Sequence, residues 1–300
     1  KFRYEVKMNS EKASISNTNS MDSWDLIIKP KSSLFYIGFK HLWRYRDLLF
    51  LFVKRDFVAV YKQTILGPVW LFIQPILTTL TFTVIFYSVA HIDTDGVPAV
   101  LFYLTGITLW GYFSECLIKT SNTFIQNSGI FGKVYFPRLI MPLSIIISNL
   151  VKLSIQLFLF LIVWFYFFFK SPESIHPTGY IFTLPLLVLI LAGLGMGFGI
   201  IISALTTKYR DLTFLVSFGV QLLMYASPIV YPLSIVSEKY KHILLLNPLT
   251  SIIEAFKYAF LGTGFFSWGY LLYSLVFMVI VVLIGVVVFN KVEKSFMDTV

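Results

Sequence analysis

Six long apolar blocks run along the chain: Leu66–Ala90, Ala99–Ile118, Leu143–Phe169, Tyr180–Thr206, Leu212–Val236 and Gly269–Asn290. Each reaches the roughly 20 residues that an α-helix needs to cross the hydrocarbon of a bilayer. Strands of a membrane β-barrel would be shorter and would alternate polar with apolar positions. The pattern predicts an all-α integral membrane protein with six transmembrane helices.

The segments between the blocks predict smaller elements. Over Leu34–Ile65, Lys40, Arg44, Asp47, Lys54, Arg55 and Lys62 share one arc of a helical wheel. Leu42, Leu49, Val53 and Val60 lie opposite, flanked by Tyr45, Phe52 and Phe57. This is an amphipathic helix suited to the membrane interface, with its apolar arc toward lipid. The plainer alternative is a helix packed on the rest of the protein. In the loop Lys119–Met141, Asn127–Ser128–Gly129 is a candidate start for a short helix, which Phe136–Pro137–Arg138 would end. Pro228 and Pro232 break the end of the fifth block. Beyond it, Asn247 as N-cap and Pro248 at the first turn open a helix over Leu249–Leu261, which Gly262 closes. That helix is apolar but too short to span, so it is read as re-entrant or lying at the outer face.

Composition agrees with the blocks: 57% of the 300 residues are hydrophobic and 13% charged. A soluble domain of this size carries about 25% charged residues. The net charge of +9 is distributed unevenly. With the N-terminus in the cytoplasm, nineteen Lys and Arg fall on the inside, and the outer loops hold four: Lys170, Lys239, Lys241 and Lys257. The positive-inside rule then places both termini in the cytoplasm and assigns the charge to lipid headgroups, with no nucleic-acid partner. Residues 1–23 are polar and Ser/Asn-rich, and are read as a disordered segment ahead of one transmembrane domain over 24–300.

The chemistry is mostly negative. Four of the six blocks contain no Asp, Glu, Lys, Arg or His; the exceptions are Glu115 and Lys152. Ion-coupled carriers and intramembrane enzymes need buried ionisable groups. The four histidines are scattered outside the blocks and no metal-ligand spacing occurs, so no metal site is expected. Gly193, Gly195, Gly197 and Gly199 sit in an apolar run and are read as a close-packing face, not a nucleotide loop. Lys152 is expected to reach for the interface or to pair with Glu115. Two blocks carry polar and aromatic stripes at helical spacing: Trp70, Gln74, Thr78, Thr81 and Ser88 in the first, Phe214, Phe218, Gln221 and Tyr225 in the fifth. Each stripe is either polar glue between helices or the lining of a path for a sugar-containing substrate.

Several motifs then stand in one order. Arg55–Asp56 is followed by Tyr61-Lys62-Gln63-Thr64-Ile65-Leu66-Gly67-Pro68-Val69-Trp70; later come Phe136-Pro137-Arg138, Tyr209-Arg210-Asp211, Pro228-Ile229-Val230-Tyr231 and Asn247-Pro248-Leu249. From about Trp24 to Val300 the chain resembles ABC-2-type transporter permeases, in particular polysaccharide and O-antigen exporters, with teichoic-acid exporters as relatives. The resemblance implies a homodimer in the cytoplasmic (inner) membrane, bound to two copies of an ABC ATPase subunit. ATP and Mg would sit on that partner, leaving this chain without a cofactor of its own. It implies that Arg55, Asn127, Phe131, Lys133 and Phe136 touch the ATPase. It also implies that spans one and five line the channel, through Trp70, Gln74, Thr78, Thr81, Phe214, Phe218, Gln221 and Tyr225. The short helices after span five would be an outer gate, and the cargo a glycan on a polyprenyl-pyrophosphate carrier. Alternatives are a drug or lipid exporter of the same family, a passive channel, and a membrane-embedded glycosyl- or phospho-transferase.

Overall fold

The structure, a computed structural model, describes residues 39–62, 67–131, 136–209 and 211–296. The segment expected to be disordered, 1–23, lies outside the described residues, as do Lys133 and the ends of the expected interface helix. The described residues are helical, with no strand among them. In chain order the helices are α1 (Phe39–Arg44), α2 (Arg46–Tyr61), α3 (Trp70–Phe82), α4 (Ala99–Ser121), α5 (Thr123–Phe131), α6 (Ile140–Lys170), α7 (Leu184–Thr206), α8 (Leu212–Tyr225), α9 (Glu238–Leu245), α10 (Pro248–Leu261) and α11 (Trp268–Phe296). A 3₁₀ turn, Gly67–Val69, leads into α3, and a π-helical stretch, Thr83–Val89, continues it.

Five helical segments are long and apolar enough to cross a membrane: Gly67–Val89, Ala99–Ser121, Ile140–Lys170, Gly179–Thr206 and Trp268–Val292. They match five of the six predicted blocks to within a few residues. The fifth block is the exception, because it is not one helix. Its helix, α8, stops at Tyr225 after 14 residues, about 21 Å at 1.5 Å per residue. Pro228 follows three positions later, where its ring and missing N–H prevent continuation. A sixth crossing is completed only if α9 and α10, bent 103° from each other, are taken as one broken span.

The core is a layered set around α4. In its membrane window 78% of residues are buried, against 17% in the first span. Helix α4 touches α3, α6, α7, α8 and α10, so most of the bundle is arranged about it. The glycine run of α7 explains the closest contacts. A Cβ on Gly195 would stand 2.7 Å from Cys116 Cβ, and one on Gly199 2.5 Å from Thr120 Cβ, both on α4. Gly193 and Gly197 face the other way, onto Met278 and Val281 of α11. Alternate glycines thus let two neighbours approach α7 on two sides, as small residues do in membrane helices.

The expected interface helix is two helices, broken at Tyr45. Its apolar side does not face outward as expected. Leu42, Leu48, Leu49 and Phe52 pack into a second core with Phe124, Phe131, Phe136, Ile140 and Phe289. The alternative reading, a helix packed on the protein, holds for that side. Trp43, Phe50 and Leu51 are each at least 60% accessible, and Val58 is 40%. Helix α5 also begins earlier than expected, at Thr123. Asn127 is therefore inside the helix, where its Nδ2 donates to the Thr123 carbonyl at 3.0 Å in place of capping an end.

Helix α10 follows its sequence signals closely. The Asn247 side chain accepts from Leu249 N at 3.1 Å, Pro248 occupies the first turn, and Gly262 closes the helix at φ 77°. Gly262 is needed twice over, since a Cβ there would also lie 2.4 Å from the His176 carbonyl oxygen. The segment after α6 holds α10 in place through His176 N to Leu261 O and Thr178 N to Ala259 O, each 3.0 Å, and Trp164 Nε1 donates to Phe260 O at 2.8 Å.

Candidate transport path and coupling surface

The two polar stripes lie on α3 and α8, and both helices use α4 as a neighbour. On α3, Trp70, Gln74 and Thr81 are exposed and Thr78 is half-buried. On α8, Phe214, Phe218, Gln221 and Tyr225 are all exposed, and Val220 is the buried residue of that helix. The eight positions therefore sit on outward faces of the single chain. They are not polar glue between helices of this chain, with one qualification: Thr78 Oγ1 donates to the Gln74 carbonyl at 2.9 Å, which satisfies it within its own helix.

Helix α8 is held mainly just beyond its C-terminal end. Asn247 Nδ2 donates to Ser227 Oγ at 3.0 Å, and Lys257 Nζ donates to the Pro228 carbonyl at 2.6 Å. Behind the helix lies an apolar cavity of about 450 Å³, bounded by residues including Phe113, Phe198, Val216, Val220 and Phe277. A helix tied at one end and loosely packed along its length is suited to movement, because few contacts oppose it.

Sequence reasoning missed the group that makes the tie. The charge pattern puts Lys257 among the outer-loop lysines, but it lies inside α10 with 1% of its side chain accessible. Its Nζ also meets Glu254 Oε1 at 3.1 Å, and the ammonium stands 4.1 Å from the centre of the Phe102 ring. The other Glu254 oxygen accepts from Phe265 N at 3.1 Å. One buried ion pair thus joins α10 to the turn after α8, to α4 and to the loop before α11. The i, i+3 spacing of Glu254 and Lys257 inside an apolar helix was the available signal. The pair expected between Lys152 and Glu115 is present, and Lys119 Nζ meets the second carboxylate oxygen at 3.0 Å.

At the basic end of the bundle, the residues expected to meet an ATPase divide into two kinds. Arg55 is exposed; it bonds Asp56 at 2.8 Å and lies 4.9 Å over the Phe52 ring. Asn127 is half-buried on α5. Phe131 and Phe136 are 4% and 5% accessible and stack within the aromatic core. Their rings are spent inside this chain and leave little surface for a partner to touch. Lys133 lies outside the described residues.

Long apolar helices, two outward polar and aromatic faces and a basic end shaped by α2 and α5 define an all-α integral membrane protein. The chain belongs to the ABC-2 type transporter family, whose model matches residues 47–261. It is similar to two proteins of Klebsiella pneumoniae, each named O-antigen export system permease protein RfbA, at 27% and 28% identity over 252 residues. Those alignments cover 84% of this chain and 94% of each relative. A protein of the same name from Myxococcus xanthus is 27% identical over 223 residues, 74% of this chain and 83% of that one.

Proposed function

We propose that this chain is the membrane subunit of an ATP-driven exporter that moves a lipid-linked polysaccharide of the O-antigen kind across the cytoplasmic membrane. The observation that carries the reading is similarity over nearly the whole length of the two Klebsiella permeases. The structure is compatible with it in a specific way. The stripe residues on α3 and α8 point outward, so a path lined by them requires a second surface. A second copy of the chain supplies one, giving a homodimer with polar and aromatic walls. Aromatic faces suit the C–H surfaces of sugars, and Gln and Thr suit their hydroxyls.

No P-loop stands in the chain, so the energy is assigned to a separate ABC ATPase, two copies per dimer. It would dock on the basic end, against the exposed side of α2 around Arg55 and against α5 around Asn127. That end would then be cytoplasmic, a reading supported by the distribution of Lys and Arg. The test is glycan export in cells that express this chain with and without its ATPase. Export that appears only with both, and is lost when the ATPase cannot hydrolyse ATP, supports the reading. Flux that persists without the ATPase would make the protein a channel.

A further inference from the structure

A polar pocket of about 310 Å³ opens between α2, α4, α5 and α6, lined among others by Arg55, Lys119, Asn127, Ser144, Ser148 and Lys152. Its charges do not balance. Arg55 is matched by Asp56, but Lys119 and Lys152 share the single carboxylate of Glu115. Lys119 has one further acceptor, Asn149 Oδ1 at 2.9 Å. Two ammonium groups carry more donors than these bonds use. The Ser148 hydroxyl is buried and has no hydrogen-bond partner among the described residues. Ser144, Ser148 and Lys152 follow one another at four-residue spacing, so they lie along one face of α6. Cations from three helices, with the unpartnered Ser148 hydroxyl, therefore converge on a space that holds one negative charge too few; the Ser144 hydroxyl is already donated to the Met141 carbonyl at 2.8 Å.

The depth of the pocket narrows what fills it. Helix α6 has 31 residues, more than the roughly 20 needed for the hydrocarbon. Lys152 lies more than two turns above its basic end, beside the surface helix α2. A long lysine side chain at this depth can reach toward the level that lipid headgroups would occupy. A phosphate group presents several acceptor oxygens around one centre, which suits donors arriving from several directions. A planar carboxylate of a partner protein matches fewer of them.

We propose that this pocket binds a phosphate group, and that the phosphate is that of a membrane lipid. The inference is independent of which glycan is exported. The test uses the full chain, purified and titrated with phosphatidylglycerol, with neutral diacylglycerol of the same acyl chains, and with inorganic phosphate, bound ligand being read by native mass spectrometry. Phosphatidylglycerol is expected to bind and diacylglycerol not. Lys152→Met and Ser148→Ala should each weaken binding, Lys152→Met by about tenfold or more, the loss of a charge-assisted hydrogen bond. Lys152→Arg should restore most of it. The double variant E115Q/K152M leaves no bare carboxylate, guards against misfolding of the single one, and should also lose the ligand. Binding of inorganic phosphate as tight as the lipid's, with the same variant dependence, keeps the pocket and assigns its ligand to the aqueous phase. Equal lipid retention by wild type and all variants overturns the proposal, as does retention of diacylglycerol. Unchanged lipid binding in a Lys152→Met protein that no longer holds its ATPase would give the pocket to the protein partner and likewise overturn it.

Discussion

Lys257 illustrates what one buried charge can do at the scale of a residue. It is enclosed in α10, and its ammonium is shared between Glu254, the Pro228 carbonyl and the face of the Phe102 ring. Removing one member of such a pair leaves the other charge buried and unmatched, which costs about 3–5 kcal/mol. Lys257→Met should therefore lower the thermal unfolding midpoint of the purified protein strongly. Glu254→Gln should cost less, because the amide can still accept from Phe265 N or Lys257. The double variant E254Q/K257M should lie closer to wild type than K257M alone, since neither charge then remains; a double-mutant cycle measures the coupling. If the single and double variants lose equal stability, the pair is not what holds these segments together. Gly262→Ala should destabilise as well, because the left-handed backbone and the His176 carbonyl both exclude a methyl group.

Elements show where packing tolerates no side chain and where it does. Gly199→Leu would drive a branched chain into Thr120 of α4, already 2.5 Å from a bare Cβ, and should separate α7 from α4. Gly219 lies on α8 with nothing within 4 Å of its Cβ position. Gly219→Ala should leave the fold intact and favour the helix by up to about 1 kcal/mol. Yield and thermal midpoint in detergent read both, and a tolerated Gly199→Leu would contradict the close approach of α7 and α4. The sequence already marks Gly199, with Gly193, Gly195 and Gly197, as a packing face, because four-residue spacing in an apolar run has few other uses. It marked five crossings for the same physical reason, the length of hydrocarbon to be filled. The fifth block misled because hydropathy measures burial and not straightness. Ile229, Val230 and Leu233 are apolar since they are buried in the turn beyond α8, not because the helix continues. The amphipathic segment of α1 and α2 leaves one point open. An amphipathic arc shows which side is covered, but protein and lipid cover it equally well. The stripe residues were legible as helical faces; that they point away from their own bundle was not, because spacing fixes a face relative to its helix and not to its neighbours.

For the whole molecule the open question is what the outward faces of α3 and α8 meet. Phe214 and Phe218 are 80% and 59% accessible in the single chain, which lipid alone would allow. Gln74, Thr81 and Gln221 on the same faces are harder to reconcile with lipid, where an unmatched polar group costs free energy. The proposed second copy, with an aqueous path between the two, would account for both sets. The lone cysteine, Cys116, is buried, so a new thiol can be read against a quiet background. Phe218→Cys should form a disulfide between copies in membranes under mild oxidation. Phe182→Cys, fully exposed but on the turn before α7, should remain a monomer. Gln221→Cys should react with a water-soluble thiol reagent, and the reaction should reduce glycan export; Tyr225→Ala and Gln74→Leu should reduce it at equal expression. If Phe218→Cys stays monomeric while Phe182→Cys cross-links, the copies meet elsewhere and the two stripes face lipid. If Gln221→Cys reacts without any effect on export, the stripe is wetted but does not line the path.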